Sequence, residues 1–267
     1  MFSYVKSYAV LDYDIAKTIL SGQIFRFVQE DTQTFLVFSK DKVCRVNQIE
    51  NELTIYSDSV ENLNYWENFF ALNENVSNLE KVMCVNTFLT ECFNFSKGVR
   101  ILRQDPWEAL IAFIISQRNS IPRIKGCIEK VCESTGYKIL QGYYTFPTPE
   151  ELRPISLRNC GLGYRETYIY RSAEDIRNRV IVLDNLHADV CSFERAIQEL
   201  TRLSGVGYKV ASCIALFSLG HRKAWPVDVW IERAMAEGNI TKDMIDSFGE
   251  HAGLIQQLVY YYMINRS

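Results

Sequence analysis

The spacing of apolar residues changes near residue 60, and that change limits the chain to a mixed architecture. Before it, "GQIFRFVQE", "QTFLVFSK", "KVCRVNQ" and "ELTIYSD" are short runs rich in β-branched and aromatic side chains. The polar turns between them, "EDT", "SKDK" and "IEN", are too short for a crossover, so the runs are expected to form an antiparallel meander. After residue 60 the period becomes helical. "DPWEALIAFIISQ" opens with Asp105 as N-cap, Pro106 at the first helical position and Glu108 three residues after the cap. Apolar residues then recur at 107, 110, 111, 114 and 115, one buried face. Further helices are expected over 120–133, 164–178, 191–202, 207–219, 228–237 and 250–263, several separated by glycine breaks in "NCGLGY", "LSGVGY" and "SLGHRK". The expected class is α+β, an N-terminal antiparallel β-sheet domain followed by a mainly helical body.

At 267 residues the chain has room for one to two domains and a sizeable core. Its eight cysteines are scattered and form no CxxC pair, which argues for reduced thiols over a zinc ribbon or an iron–sulfur cluster. The N-terminus lacks a basic head followed by an apolar run, and no stretch of about 18 uncharged apolar residues occurs. Neither a signal peptide nor a membrane span is expected, and the protein reads as soluble and intracellular. A net charge of −3 is a poor signature for a protein that coats nucleic acid, so any grip on DNA must be local.

"ELTRLSGVGYKVASCIALFSL" reads as two helices joined by the turn Leu-Ser-Gly-Val-Gly. Two glycines let the backbone turn sharply, and the second helix starts there with free N–H groups and the positive end of its dipole outward. Such an end suits a phosphate and grips DNA backbone without reading sequence. Lys209, in the first turn, is then either a phosphate contact or a nucleophile. Asp228, in "AWPVDVWIERAM", is either the N-cap of the following helix or a catalytic carboxylate, one helix and a loop beyond Lys209. Together the two suit attack on a sugar carbon with a departing base. The amine must be neutral, which a helix N-terminus with partial desolvation favours, and the carboxylate can stabilise positive charge developing on the sugar.

The hairpin, Lys209 and Asp228 resemble the "GVG…K…(P)VD" signature of the helix–hairpin–helix DNA glycosylases. Members that carry the lysine form a Schiff base and also nick the strand. "SGQIFRF" (21–27), "AFIISQRNSIPRI" (112–124), "GLGYRETY" (161–168) and "HAGLIQQLVYYYM" (251–263) fall in the same order as landmarks of the 8-oxoguanine DNA glycosylases, and the resemblance spans most of the chain.

That resemblance implies a domain over 1–60, a discontinuous helical domain from 61–104 and 229–267 that completes the base pocket, and a helical body over 105–228 with its hairpin at 203–207. It implies that Gly22 offers its carbonyl to the N7 proton of 8-oxoguanine and that Gln256 bonds the Watson–Crick edge. Cys213, one turn after Lys209, and Tyr260 would sandwich the flipped base. Tyr164 would wedge into the duplex and Asn119 enter the vacated space, with Arg123 and Arg165 reading the stranded cytosine. The carbonyls of Thr201, Leu203 and Val206 would hold a structural monovalent or divalent cation, and the amides of Gly205 and Gly207 would face phosphate. No cofactor is required for catalysis. The partner is double-stranded DNA containing 8-oxoguanine, with no membrane, and the protein is expected to act as a monomer in a prokaryotic cytoplasm, or in a nucleus if eukaryotic.

Three positions depart from the pattern. Arg118 stands where many relatives carry asparagine beside the estranged cytosine, which leaves the opposite-base preference open. Trp230 replaces a histidine and Met263 the aspartate that pairs with it, so a phosphate contact is expected to be lost with the pair. A glycosylase for alkylated purines and a non-catalytic hairpin module remain the alternatives. Gly22 and Gln256 argue against the first, and a catalytic Asp228 would exclude the second.

Overall fold

The computed structural model describes residues 2–140 and 142–266. Its sheet has five antiparallel strands in the order β1-β5-β4-β3-β2: β1 (Tyr4–Ala9), β2 (Phe27–Gln29), β3 (Thr34–Ser39), β4 (Lys42–Ile49) and β5 (Glu52–Ser57). The four expected runs form the meander. The first strand is additional to them. It pairs with β5 from Tyr4↔Ser57 to Ala9↔Glu52 and closes the far edge. Between β1 and β2 lies the short helix α1 (Ile15–Leu20), started by Asp14, whose Oδ1 accepts the Lys17 N–H at 2.9 Å.

Helices then follow in order: α2 (Val60–Phe69), α3 (Leu79–Met83), α4 (Thr87–Ser96), α5 (Pro106–Ser116), α6 (Ile121–Thr135), α7 (Pro154–Leu157), α8 (Arg165–Arg177), α9 (Phe193–Leu200), α10 (Tyr208–Ser218), α11 (Val229–Ala236), α12 (Lys242–Ser247) and α13 (Ala252–Arg266). Every helix expected from spacing is present. A two-stranded hairpin, β6 (Lys138–Leu140) with β7 (Tyr143–Tyr144), interrupts the helical run where the spacing predicts none. No described helix is long and apolar enough to cross a membrane.

Three large clusters of buried side chains hold most of these elements, and a small fourth one, Leu36, Phe38 and Val43, packs with β6 and β7. Phe35, Val46 and Ile55 of the sheet pack with Ile15 and Ile19 of α1 and with Trp66, Phe69 and Phe70. Thus α2, which lies beyond the expected boundary at 60, belongs to the packing of the sheet. A second cluster joins α5, α6, α8 and α10 through Leu110, Ile128, Ile169 and Ile214. The third brings Leu79, Leu89 and Cys92 against Ile231, Ile255 and Leu258, so chain before α5 packs with chain after Asp228. The cleft described next lies where these parts meet.

Candidate active site

A cleft of about 490 Å³ is lined by Gly22, Arg118, Asn119, Lys209, Cys213, Asp228, Gln256 and Tyr260, residues drawn from five separate stretches of chain. Three helix N-termini supply it. Ile121 opens α6, Lys209 lies in the first turn of α10, and Asp228 caps α11. Their positive dipole ends make the mouth attractive to phosphate despite the negative net charge.

Asp228 performs its bland task as well as lying in the cleft. Its Oδ1 accepts the Trp230 N–H at 3.1 Å and the Ile231 N–H at 2.9 Å, which fixes the carboxylate and leaves Oδ2 outside the cap. Lys209 is exposed. In the free protein this side chain is therefore open to water, in the first turn of α10. Cys213, one turn on, is buried, and burial pushes its thiol up to about 11, with Lys209 pulling down and Asp228 pushing up. Burial likewise lifts the Tyr260 phenol to about 12, with Asp228 and Cys213 adding to the rise. Both groups are neutral at physiological pH, as a surface for stacking a base requires.

Gly22 has φ +77°, and a Cβ there would lie 3.1 Å from Tyr260 Cε1, so both backbone and ring demand glycine. Two buried glutamines hold its turn, and sequence reasoning passed over both. Gln23 Nε2 donates to Ser21 Oγ at 2.8 Å and to the Arg100 carbonyl at 2.8 Å, while its Oε1 accepts from Leu102 N at 2.8 Å. Gln257 Nε2 donates to the Ser21 carbonyl at 2.6 Å, tying the turn to α13. Phe25, Phe113 and Phe217 also line the cleft; the last two stack with centroids 5.5 Å apart. As ordinary apolar residues in helical and strand patterns they carried no sequence signal.

Gln256 is 4 % exposed, and its Nε2 donates to the Pro226 carbonyl at 3.1 Å. A carbonyl can only accept, so the amide orientation is fixed and Oε1 is directed elsewhere. That oxygen is buried without a partner among the described residues. An orphaned buried acceptor costs about 1–3 kcal/mol, and a ligand N–H would recover it.

The remaining expected DNA contacts lie outside the cleft lining. Tyr164 is 52 % exposed, as a wedge must be, and Arg123 is exposed on α6. Arg165 differs from them in its surroundings. It is buried, and its guanidinium donates to the carbonyls of Gln117, Leu162 and Arg118. In the free protein it therefore braces the turn that carries Arg118 and Asn119. Arg118 is exposed at φ +48°, a left-handed conformation that asparagine tolerates better than arginine. Trp230 lines the cleft, and Met263 packs on the third cluster.

In the hairpin, Gly205 has φ +77° and a Cβ would meet the Tyr168 ring at 2.2 Å, whereas a Cβ on Gly207 would meet nothing within 4 Å. Packing explains the first glycine; the space before the second is open to an approaching backbone. The Leu203 carbonyl accepts the Val206 N–H at 3.1 Å, with a lone pair to spare. Among the described residues no group of three or more His, Cys, Asp or Glu side chains could hold a metal.

A small sheet beside helices whose hairpin presents a lysine to an aspartate-capped cleft defines the helix–hairpin–helix glycosylase class. Residues 7–110 match the family described as 8-oxoguanine DNA glycosylase, N-terminal domain. The structure superposes on MBOgg1 in complex with a low-affinity DNA ligand with TM-score 0.88 and 33% identity, covering 96% of this chain and 94% of that one. It superposes equally, at TM-score 0.88 and 29% identity over 99% of both chains, on the Clostridium acetobutylicum 8-oxoguanine glycosylase/lyase in complex with duplex DNA containing cytosine opposite 8-oxoguanine. The N-glycosylase/DNA lyase of Saccharomyces cerevisiae is 36% identical over 51% of this chain and 41% of its own length. For OGG1 of Arabidopsis thaliana the figures are 31%, 61% and 52%, so the match spans about half the length of these curated relatives. The chain belongs to the 8-oxoguanine DNA glycosylase family.

Proposed function

We propose that the protein excises 8-oxoguanine from duplex DNA, preferentially opposite cytosine, and then nicks the strand. The observation that carries this is the orphaned Gln256 Oε1, buried in the same cleft as Lys209 and Asp228. A guanine-type Watson–Crick edge brings N–H donors to that acceptor, and the Gly22 carbonyl can take the N7 proton that distinguishes 8-oxoguanine from guanine. Alkylated purines lack that proton, and their hydrolytic excision has no use for Lys209. The Clostridium relative, whose DNA complex contains cytosine opposite 8-oxoguanine, supports the same choice.

The flipped base lies between Cys213 and Tyr260. Neutral Lys209 Nζ attacks C1′, and the C1′–N9 bond breaks with its electron pair leaving on the base, which takes up a proton. Asp228 opposes the positive charge that develops at C1′. Loss of a proton from nitrogen and opening of the sugar give a Schiff base at C1′. Removal of a C2′ proton then expels the 3′ phosphate by β-elimination. The protein acts as a monomer on duplex DNA, in the cytoplasm of a prokaryote or the nucleus of a eukaryote. The carbonyls of Thr201, Leu203 and Val206, all oxygen donors, suit a hard structural cation, and no step of the chemistry needs it.

Borohydride trapping tests this on a duplex with one 8-oxoguanine opposite cytosine, beside undamaged and uracil-derived abasic duplexes. A covalent band with 8-oxoguanine and none with undamaged DNA is expected, lost in Lys209→Gln with damaged-DNA binding retained. A band confined to the abasic duplex would overturn the base assignment. No band at all would return Lys209 to a phosphate contact.

A further inference from the structure

An attacking amine must shed its proton and its water, yet Lys209 stands exposed in the free protein. The mouth of the cleft offers a source for the missing desolvation. Ile121 is 42 %, Val227 40 % and Val229 71 % exposed, and all three line the cleft with Lys209 and Asp228. Ile121 and Val229 are the first residues of α6 and α11, positions where acidic residues or proline suit the helix better than a bare β-branched side chain. Single exposed apolar residues are ordinary, but a group gathered at the mouth of one cleft marks a surface that a partner covers.

We propose that Ile121, Val227 and Val229 form an apolar rim that closes on the sugar of the flipped nucleotide and excludes water from the Lys209 amine only when DNA is bound. This rests on the proposed glycosylase function. The charged and titratable groups lining the cleft with Lys209 are Asp228 and Glu232 of the α11 segment, Arg118 of the α5–α6 turn, Tyr260 of α13 and Cys213 of α10 itself. In the open cleft the exposed amine keeps its water, and the rim acts by removing that water once the sugar is seated. Coupling this to DNA binding keeps the lysine unreactive until a nucleotide is in place.

The test is the rate of borohydride trapping on the uracil-derived abasic duplex across roughly pH 6 to 10, for wild type, Ile121→Thr/Val229→Thr and Ile121→Val/Val229→Ile. Threonine keeps the branched shape and adds a hydroxyl to the rim. The threonine pair is expected to trap about tenfold more slowly near pH 7 but within about twofold of wild type near pH 10, the profile moving up by about one unit. The valine/isoleucine pair should restore the wild-type profile, and undamaged-duplex binding should change little in either. A loss by the same factor at every pH, or a threonine profile identical to that of a trapping-competent wild type, overturns the rim alone. A wild type that traps neither abasic nor 8-oxoguanine duplex overturns the amine nucleophile, and the rim with it.

Discussion

Gln256 is the residue at which stability and function oppose each other. Replacing it with methionine removes the orphaned Oε1 and the bond to Pro226 together, so the two effects offset and stability should change by less than about 1 kcal/mol. Excision of 8-oxoguanine should nevertheless fall by about tenfold or more, because the site loses its only Watson–Crick acceptor assigned to the base. Trapping on a preformed abasic site, which needs no base contact, should persist. Thermal unfolding beside the two trapping assays separates these outcomes; equal loss on both duplexes would deny Gln256 its role in base recognition. Cys213 gives a second test at this scale. Its ordinary value of 9.0 is raised to about 11 by burial, so the folded state holds the proton more tightly than the unfolded one. The associated stability is present below about pH 9 and lost as pH rises to about 11, a fall of roughly 2–3 kcal/mol. Cys213→Ala carries a constant packing cost but should lack this alkaline slope in denaturant titrations from about pH 8 to 11.

Among the elements, α13 is where sequence landmark and packing coincide. Gly253 lets it approach α10 so closely that a Cβ would lie 2.2 Å from Leu216 Cδ1 and 2.8 Å from the Arg222 carbonyl. The leucine tip can move; the carbonyl, which also accepts the Gly253 N–H at 2.8 Å, cannot. Gly253→Ala should therefore push α13 off α10 at a cost of about 1–3 kcal/mol. Because α13 carries Gln256 and Tyr260 while α10 carries Lys209 and Cys213, excision should fall further than stability explains. Single-turnover rates at a temperature where the variant remains folded would check this. Long periodic helices such as α5 and α6 were legible because their apolar spacing and caps agree. The strand β1 was not, since its residues are nearly all exposed and display no alternation, and the six residues of α1 are too few to show a helical period. The cleft was legible only through its landmarks. Gln23, Gln257 and the buried state of Arg165 depend on contacts between distant segments that no local pattern records.

For the whole molecule, the question is what keeps the sheet, with its Gly22 turn, in register with the helical body that carries Lys209. Arg26, in the same landmark as Gly22, reaches across to Glu108 at 3.1 Å and to the Tyr144 carbonyl at 2.6 Å, with its guanidinium over the rings of Phe38 and Phe146. Glu108 in turn accepts the Lys40 N–H at 2.8 Å, so one buried ion pair links the start of β2, the β3–β4 turn, α5 and β7. Removing one partner of a buried pair strands the other, and Arg26→Met should destabilise the protein by about 3–5 kcal/mol near neutral pH. Burial already raises the Glu108 carboxyl, with Arg26 the main opposing influence. Without Arg26 the carboxyl rises further, so the folded variant takes up a proton that its unfolded chain releases. Its stability deficit relative to wild type should therefore shrink as pH falls toward about 5 and the stranded carboxyl becomes neutral. Glu108→Gln in the same background should recover part of the loss at neutral pH without acid. Urea denaturation of the three proteins at two pH values decides it. A deficit that does not change with pH would mean that Arg26 acts through packing on Phe38 and Phe146 and that the ion pair does not hold the two halves of the cleft together.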